Sequence, residues 1–416
     1  MRAVLADVST GPYLYTSLAA RLKPDAGWSR GGLLSLRDDV EEPVLPHVPG
    51  WVRLRPEIAG ICGTDMSLAQ GRLSMVLTAF GASARTIPGH EVTAVVQQLG
   101  WGCHRVSEGD RVALDPVLAC RQRGFDPPCR SCAEGRPFVC ERFDLPGAAG
   151  AVAPTHGWDA AVGGGWGESL VAHESQLHPV GSLPSRRTVL AEPASIALHA
   201  ALQWQRRGDR VVVIGPGTIG LLVTAVLRVL HADLDIVVLS PGEFGAAVAR
   251  QSGASRVLPT GGQAVELLAA SDGGRVLRAR LTRTPILERG VDAVFDCVAH
   301  PDTIDLGLHL LRPGGMLVLV GGAGRQPVDW SLVWNRQLTV QGTVHFGPEP
   351  ALAGRHTMEQ VIDWLGDTAF PVDHLVTHVF GLDEWRQALA TALAGPRSQA
   401  VKVALRPTPD LPLVEG

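Results

Sequence analysis

The sequence predicts an α/β protein in two parts, a β-rich first half followed by a doubly wound parallel-sheet domain. Three observations carry this. Short runs of alternating apolar and polar residues punctuate the first half. From about residue 194, apolar runs alternate with helical segments, the rhythm of a parallel sheet covered on both faces. One of those runs ends in a glycine-rich turn that opens an apolar helix.

The elements follow in order. Trp51–Pro56 and Glu91–Val96 alternate as strands, and Gly109–Leu114 reads as a turn into a strand. Residues 144–167 are rich in Gly, Ala and Pro and read as a long loop. Arg210–Ile214, Asp235–Leu239, Val291–Asp296 and Gly315–Val320 supply the parallel strands. After about residue 341 the alternation stops, and the chain runs on to Lys402–Arg406.

Composition excludes several classes. The 416 residues are 45% hydrophobic and 19% charged, which is globular rather than disordered. A net charge of −4 gives no electrostatic reason for nucleic acid or an anionic membrane as partner. The start, MRAVLADVST, reaches Asp7 before an apolar core forms, so no signal peptide is expected. Val211–Leu227 is uncharged but too short to span a membrane, and it contains Gly-Pro-Gly. Seven cysteines in such a chain point to a reducing compartment, hence the cytoplasm, and to metal ligands or core thiols. Lysine occurs only at Lys23 and Lys402, which reads as codon usage rather than chemistry.

Gly215-Pro216-Gly217-Thr218-Ile219-Gly220 fits the dinucleotide fingerprint G-x-G-x-x-G in its confirming context, between an apolar strand and an apolar helix. The helix start then offers free N–H groups to a pyrophosphate. The second strand should end on an acidic residue if the ligand is NAD. Here it ends on Ser240, with Glu243 near and no arginine before Arg250, so NAD and NADP both stay open.

Two groups of metal-type residues stand out. Cys120, Cys129, Cys132 and Cys140 suit a closed tetrahedral zinc that staples a loop. Cys62, His90 and Glu192 lie in the separate blocks GICGTD, PGHE and AEP. A thiolate, an imidazole and a carboxylate would meet a catalytic zinc's need for three ligands and one open position. Each alone has a plainer reading, as a core thiol, a turn histidine and a helix-start carboxylate.

In this order the blocks resemble the zinc-dependent medium-chain dehydrogenase/reductase family of the alcohol dehydrogenase type. The blocks are GICGTD (60–65), PGHE (88–91), EGDRV (108–112), the cysteine lobe, AEPASIALHA (191–200), GPGTIG (215–220), VDAVFDCV (291–298), RPGGMLVLVG (312–321) and LTVQGTVHF (338–346). The Glu192-Pro193 block is most similar to the polyol, threonine and glucose dehydrogenase branch. The resemblance implies a GroES-like catalytic domain over 1–193, a Rossmann domain over 194–341, and a return to the catalytic domain over 342–416. It implies two zinc ions per chain, one held by Cys62, His90 and Glu192 and one by the four lobe cysteines. Glu91 would sit beside the catalytic zinc and ligate in some states, and Asp65 would orient His90. Thr64 would bond the substrate oxygen and begin a proton relay. Ser67 stands where the relay histidine is usual.

The implied reaction is hydride transfer between an alcohol and NAD or NADP, with zinc as Lewis acid. That alcohol would be a polyol, a sugar, an amino alcohol or a biosynthetic intermediate. Alternatives are a biosynthetic reductase of an aldehyde, ketone or imine, and a non-catalytic protein that kept the fold. A homodimer or homotetramer is implied. The sequence also departs from the family pattern. Cys120 precedes Cys129 by eight intervening residues where two are usual, Ser240 replaces an aspartate, and His345 stands where an arginine is common. The segments before Trp51 and over 144–165 are long.

Overall fold

The computed structural model describes every residue except 30, 81–82, 143–144, 207, 272, 281–283 and 416, and the backbone alone at 75, 78 and 80. The chain divides into two units. The first holds Met1–Glu192, Gly347–Gly366 and Val376–Gly416; the second holds Pro193–Phe346 and Asp367–Leu375.

The first half carries β1 (Ala3–Asp7), β2 (Leu34–Arg37), β3 (Trp51–Gly60), β4 (Arg85–Thr86), β5 (Val92–Leu99), β6 (Arg111–Leu114), β7 (Leu170–His173) and β8 (Leu177–Pro179). Then come β9 (Arg210–Ile214), β10 (Asp235–Leu239), β11 (Arg256–Leu258), β12 (Val276–Leu277), β13 (Ile286–Leu287), β14 (Val291–Asp296), β15 (Leu311–Leu319) and β16 (Thr339–Gly342). The last strands are β17 (Val376–Gly381) and β18 (Lys402–Arg406).

In the first unit a seven-stranded sheet runs β17-β18-β3-β5-β6-β8, with β7 also on β3. A second sheet, β2-β1-β4, is antiparallel. β3 continues four residues beyond the predicted Pro56. Irregularities in its pairing with β5, at Arg53/Leu54 and Pro56/Ile58, accommodate the proline without ending the ladder. That extension delivers the chain to Cys62. β18 pairs antiparallel with the end of β3, Ala404 opposite Gly60, so the returning tail lies beside the same strand end.

The long loop holds neither helix nor strand over its described residues from 145 to 167; residue 144 lies outside the described residues. It is nevertheless packed. Ala149, Ala151 and Val162 bury against Trp51, Leu118 and Val171. The buried Asp159 carboxylate accepts the amides of Val152, Ala153 and Ala161 at 2.6–2.8 Å.

The second unit is built on a parallel sheet in the order β11-β10-β9-β14-β15-β16. Val211 through Ile214 and Ile236 through Leu239 are buried without interruption, as expected of strands covered on both faces. Among the described residues, no helix is long and apolar enough to cross a membrane.

Candidate active site

The mixed cluster lies where β3 ends and β5 begins. Cys62 caps the helix Gly63–Ala69, and its amide donates to the Asp65 carboxylate at 2.9 Å. Local sequence explains this: a carboxylate three residues past a cap closes the first helical turn. Gly89 turns the chain into His90 at φ +94°, and a Cβ there would lie 2.4 Å from the Trp166 ring. A Cβ on Gly60 would lie 1.8 Å from Glu91 Oε2, so Gly60 makes room for the cluster and Gly89 for the Trp166 ring behind the turn.

Ligating atoms of Cys62, His90 and Glu91 all fall within 4.8 Å of one another. Glu192 is buried in the first turn of the helix Ala191–Gln203, outside that tight group. Burial pushes its carboxyl up to about 8; His90 and Lys402 oppose the shift and Glu91 adds to it. Asp65 Oδ1 is 3.8 Å from His90 Nδ1, too far for a hydrogen bond. His90 Nδ1 and Thr64 Oγ1 are buried with no hydrogen-bond partner among the described residues. Orphaned polar atoms beside a thiol and two carboxyls are costly unless a ligand satisfies them. A thiolate, an imidazole and carboxylates are zinc's donor set, so these residues fit the metal. Ser67 lies on the same helix, three residues after Thr64.

Sequence reasoning missed one group here. Lys402, on β18, donates to Glu91 Oε1 and Oε2 at 2.7 and 2.6 Å and to the Ile61 carbonyl at 3.1 Å. Burial works against its charge, but Glu91, Cys62 and Glu192 together outweigh burial and hold its pKa above the usual lysine value. The signal was present, since Lys402 is one of only two lysines in the chain.

The four lobe cysteines also gather within 4.8 Å of one another. Cys120 Sγ is 3.7 Å and Cys129 Sγ 3.9 Å from Cys140 Sγ. Zinc–sulfur bonds of about 2.3 Å at tetrahedral angles place sulfurs about 3.8 Å apart. The long gap after Cys120 is taken up by a short helix, Cys120–Arg123, and a left-handed Gly124. The Cys129 amide donates to Cys120 Sγ at 3.3 Å, the Glu141 amide to Cys129 Sγ at 3.4 Å, and Arg123 to Cys140 Sγ at 3.3 Å.

In the second unit the fingerprint turn joins β9 to the helix Thr218–Leu230, with Gly217 as its cap and Ile219 in its first turn. Gly215 has φ +97°, and a Cβ on Gly220 would strike the Gly215 carbonyl at 1.9 Å. A Cβ on Gly217 would meet nothing within 4 Å, which leaves open space for phosphate beside the helix start. Ser240 follows β10 directly, but its hydroxyl donates to the Gly242 carbonyl at 2.7 Å. Glu243 is paired with Arg250 at 2.9 Å.

Residues 48–182 match the family described as "Alcohol dehydrogenase GroES-like domain", and residues 218–367 match "Zinc-binding dehydrogenase". The chain belongs to the zinc-type medium-chain dehydrogenases/reductases. It is an NAD(P)-dependent alcohol oxidoreductase. The dehydrogenase is 27% identical to the erythritol/L-threitol dehydrogenase of Mycolicibacterium smegmatis, over 88% of this chain and 94% of that one. It is 27% identical to the sorbitol dehydrogenase of Arabidopsis thaliana, over 86% and 90%. Its fold matches L-idonate 5-dehydrogenase from Escherichia coli with a TM-score of 0.69, at 19% identity and 97% coverage of both chains.

Proposed function

We propose that this dehydrogenase oxidises a polyol or a closely related sugar alcohol, with Thr64 at the reacting hydroxyl. The observation that carries the reading is the cluster of Cys62, His90 and Glu91, together with Thr64, two residues after Cys62 on the helix it caps, whose buried hydroxyl has no hydrogen-bond partner among the described residues. The polyol class is supported by the erythritol/L-threitol and sorbitol dehydrogenases among its relatives.

Cys62, His90 and a glutamate, Glu91 or Glu192, would hold the catalytic zinc, and the four lobe cysteines a second one. When bound, the metal supplies a Lewis acid for the alcohol oxygen and the nicotinamide a hydride acceptor. The protein's own residues do the rest. Thr64 accepts the hydroxyl proton within hydrogen-bond reach and passes it outward. Ser67, the next hydroxyl on that helix face, stands where the exit begins but is too weak a base to hold the proton. Lys402 fixes Glu91, and Asp65 fixes the Cys62 amide. Gly215, Gly217, Thr218, Ile219 and Gly220 form the pyrophosphate turn. Ser240 and the Arg250-paired Glu243 leave little charge to reject a 2′-phosphate, so NAD and NADP are both accepted.

We further place the protein in the cytoplasm as a homo-oligomer, with no nucleic-acid or membrane partner. Its cysteines are all free thiols. β16 is an edge strand, and Trp334 near it is exposed.

A panel of C4–C6 polyols assayed with NAD and NADP tests the reading. Turnover should appear with one or more of them, vanish on chelation and return with zinc. Turnover confined to simple monohydric alcohols would overturn the polyol class, and none with any alcohol would overturn the reading itself.

A further inference from the structure

A third group of metal-type side chains lies in the first unit, apart from both clusters described above. Asp115, His178 and His356 each present one ligating atom, all within 4.8 Å of one another. We propose that these three residues form a further divalent-metal site of the zinc type, which fastens the returning segment 347–366 onto β6 and β8.

Register explains how two of them meet. Ala113 pairs with His178 and Leu114 with Leu177, and the Asp115 amide continues the ladder by donating to the Gln176 carbonyl at 2.8 Å. Side chains alternate along a strand, so Asp115 shares the face of Ala113, and therefore of His178. The third residue comes from far along the chain. His356 immediately precedes the helix Thr357–Gly366, and its Nδ1 accepts the Met358 amide at 3.2 Å. That bond aims Nε2 at Asp115 Oδ2, 3.3 Å away.

The spacing fits a small ion. Nitrogen and oxygen donors about 2.0–2.1 Å from a tetrahedral zinc lie about 3.3 Å apart. The His356–Asp115 edge already has that length. The His178 ring is 4.7 Å from the His356 ring, centre to centre, with 34° between planes. His178 is 5% exposed, and its Nε2 is buried without a hydrogen-bond partner among the described residues. Asp115 spends its other oxygen on the Val117 amide at 3.0 Å, which steadies the carboxylate. Two imidazoles and a carboxylate are the donors that zinc and the neighbouring transition metals prefer over calcium or magnesium. Without metal, the His356 proton sits on Nε2, between the ring and Asp115. Loading therefore moves that proton to Nδ1 and releases the Met358 amide. The site should consequently bind less tightly than the sulfur lobe.

The test compares the full-length wild type with His178→Gln, both equilibrated with Zn2+ and then with Co2+. Metal analysis should find about one equivalent per chain fewer in the variant. The lost Co2+ should carry visible d–d absorption without thiolate charge transfer, because both other clusters contain sulfur. Dehydrogenase turnover and circular dichroism should be unchanged. Equal metal content and equal cobalt spectra in the two proteins would overturn the proposal and leave an ordinary histidine–aspartate pair. Should His178→Gln fail to fold, wild-type crystals grown with zinc decide the matter. An anomalous-scattering peak among Asp115, His178 and His356 supports the site, and its absence there overturns it.

Discussion

The sulfur lobe and the mixed cluster lie in the same unit and draw on similar residue types, yet they are organised oppositely. In the lobe, backbone amides and Arg123 donate to three of the four sulfurs, and the spacings of Cys120 and Cys129 from Cys140 match the edges of a zinc–sulfur tetrahedron. In the cluster, His90 Nδ1 and Thr64 Oγ1 have no hydrogen-bond partner among the described residues, and Glu192, outside the tight group, is a buried acid that burial drives toward neutrality. A set of groups that satisfies itself once metal is bound can only hold structure. A set that leaves buried polar atoms unsatisfied has kept room for a reactant.

The largest expected effects test that contrast directly. Cys62→Ser should cost about 10³-fold or more in turnover while leaving the melting temperature near the parent's, since several kcal/mol of charge stabilisation disappear. Thr64→Ala should cost about 10²–10⁴-fold, the scale of a positioned proton-transfer group, and Ser67→Ala far less. Cys132→Ser should do the reverse of Cys62→Ser, lowering the melting temperature by at least about 5 °C. Steady-state kinetics and thermal unfolding on the same preparations check all four. An active Cys62→Ser enzyme would break the contrast.

The next effect concerns the Lys402–Glu91 ion pair. Lys402 and Glu91 are almost wholly buried, with side chains 3% and 1% exposed. Removing one partner strands a buried charge, which typically costs about 3–5 kcal/mol, whereas removing both can be close to neutral. Lys402→Met should therefore be strongly destabilised in denaturant titrations. Glu91→Gln with Lys402→Met should recover most of that loss. If the double variant is no better than the single, Lys402 acts through something other than Glu91.

Much of this was legible in the sequence, because local chemistry carried it. The fingerprint glycines and the apolar runs of β9, β10 and β14 are dictated by residues a few positions apart, whereas Asp65, expected to orient His90, instead caps the Cys62 amide. Which of Glu91 and Glu192 would ligate was not legible, because it depends on how two carboxyls 101 positions apart in the chain are packed around the same cluster. Lys402 was discounted for the same reason: its partner is 311 residues away. The Asp115–His178–His356 group has no recognisable spacing at all, being assembled by strand register and a returning segment. Cys120 was unusual in its spacing only, and a short helix with a left-handed glycine absorbs the extra residues.

His156 sharpens the contrast from the other side. It is wholly buried, and neither ring nitrogen has a hydrogen-bond partner among the described residues. The nearby Gln176 spends its amide on the Asp115 and Val117 carbonyls. Burial pulls the ring's pKa down to about 4, with Asp159 and Asp115 only partly opposing. The folded state then binds fewer protons than the unfolded state between about pH 6.5 and 4. Stability is complete above that window and falls as pH drops through it, by about 3 kcal/mol in total. His156→Gln should flatten the profile in this window, measured by chemical denaturation at successive pH values. An unchanged slope would assign the acid sensitivity to other groups.

The smallest effect is expected at Ser240, where a polar side chain is already satisfied. Its hydroxyl is held by the Gly242 carbonyl at 2.7 Å, and a Cβ on Gly245 would lie 2.8 Å from that oxygen. A hydroxyl bonded within its own turn has little left to offer a ribose, so Ser240→Ala should change the NAD to NADP preference by less than about threefold. Ser240→Asp adds a charge where Glu243 is already neutralised by Arg250. It should repel a 2′-phosphate and shift the preference toward NAD by about tenfold, roughly 1.4 kcal/mol. The ratio of kcat/KM for the two cofactors measures both. A large shift from Ser240→Ala would mean that the turn opens on binding and frees the hydroxyl for the cofactor, and hydrogen-bond satisfaction would then be a poor guide to function on this side of the molecule.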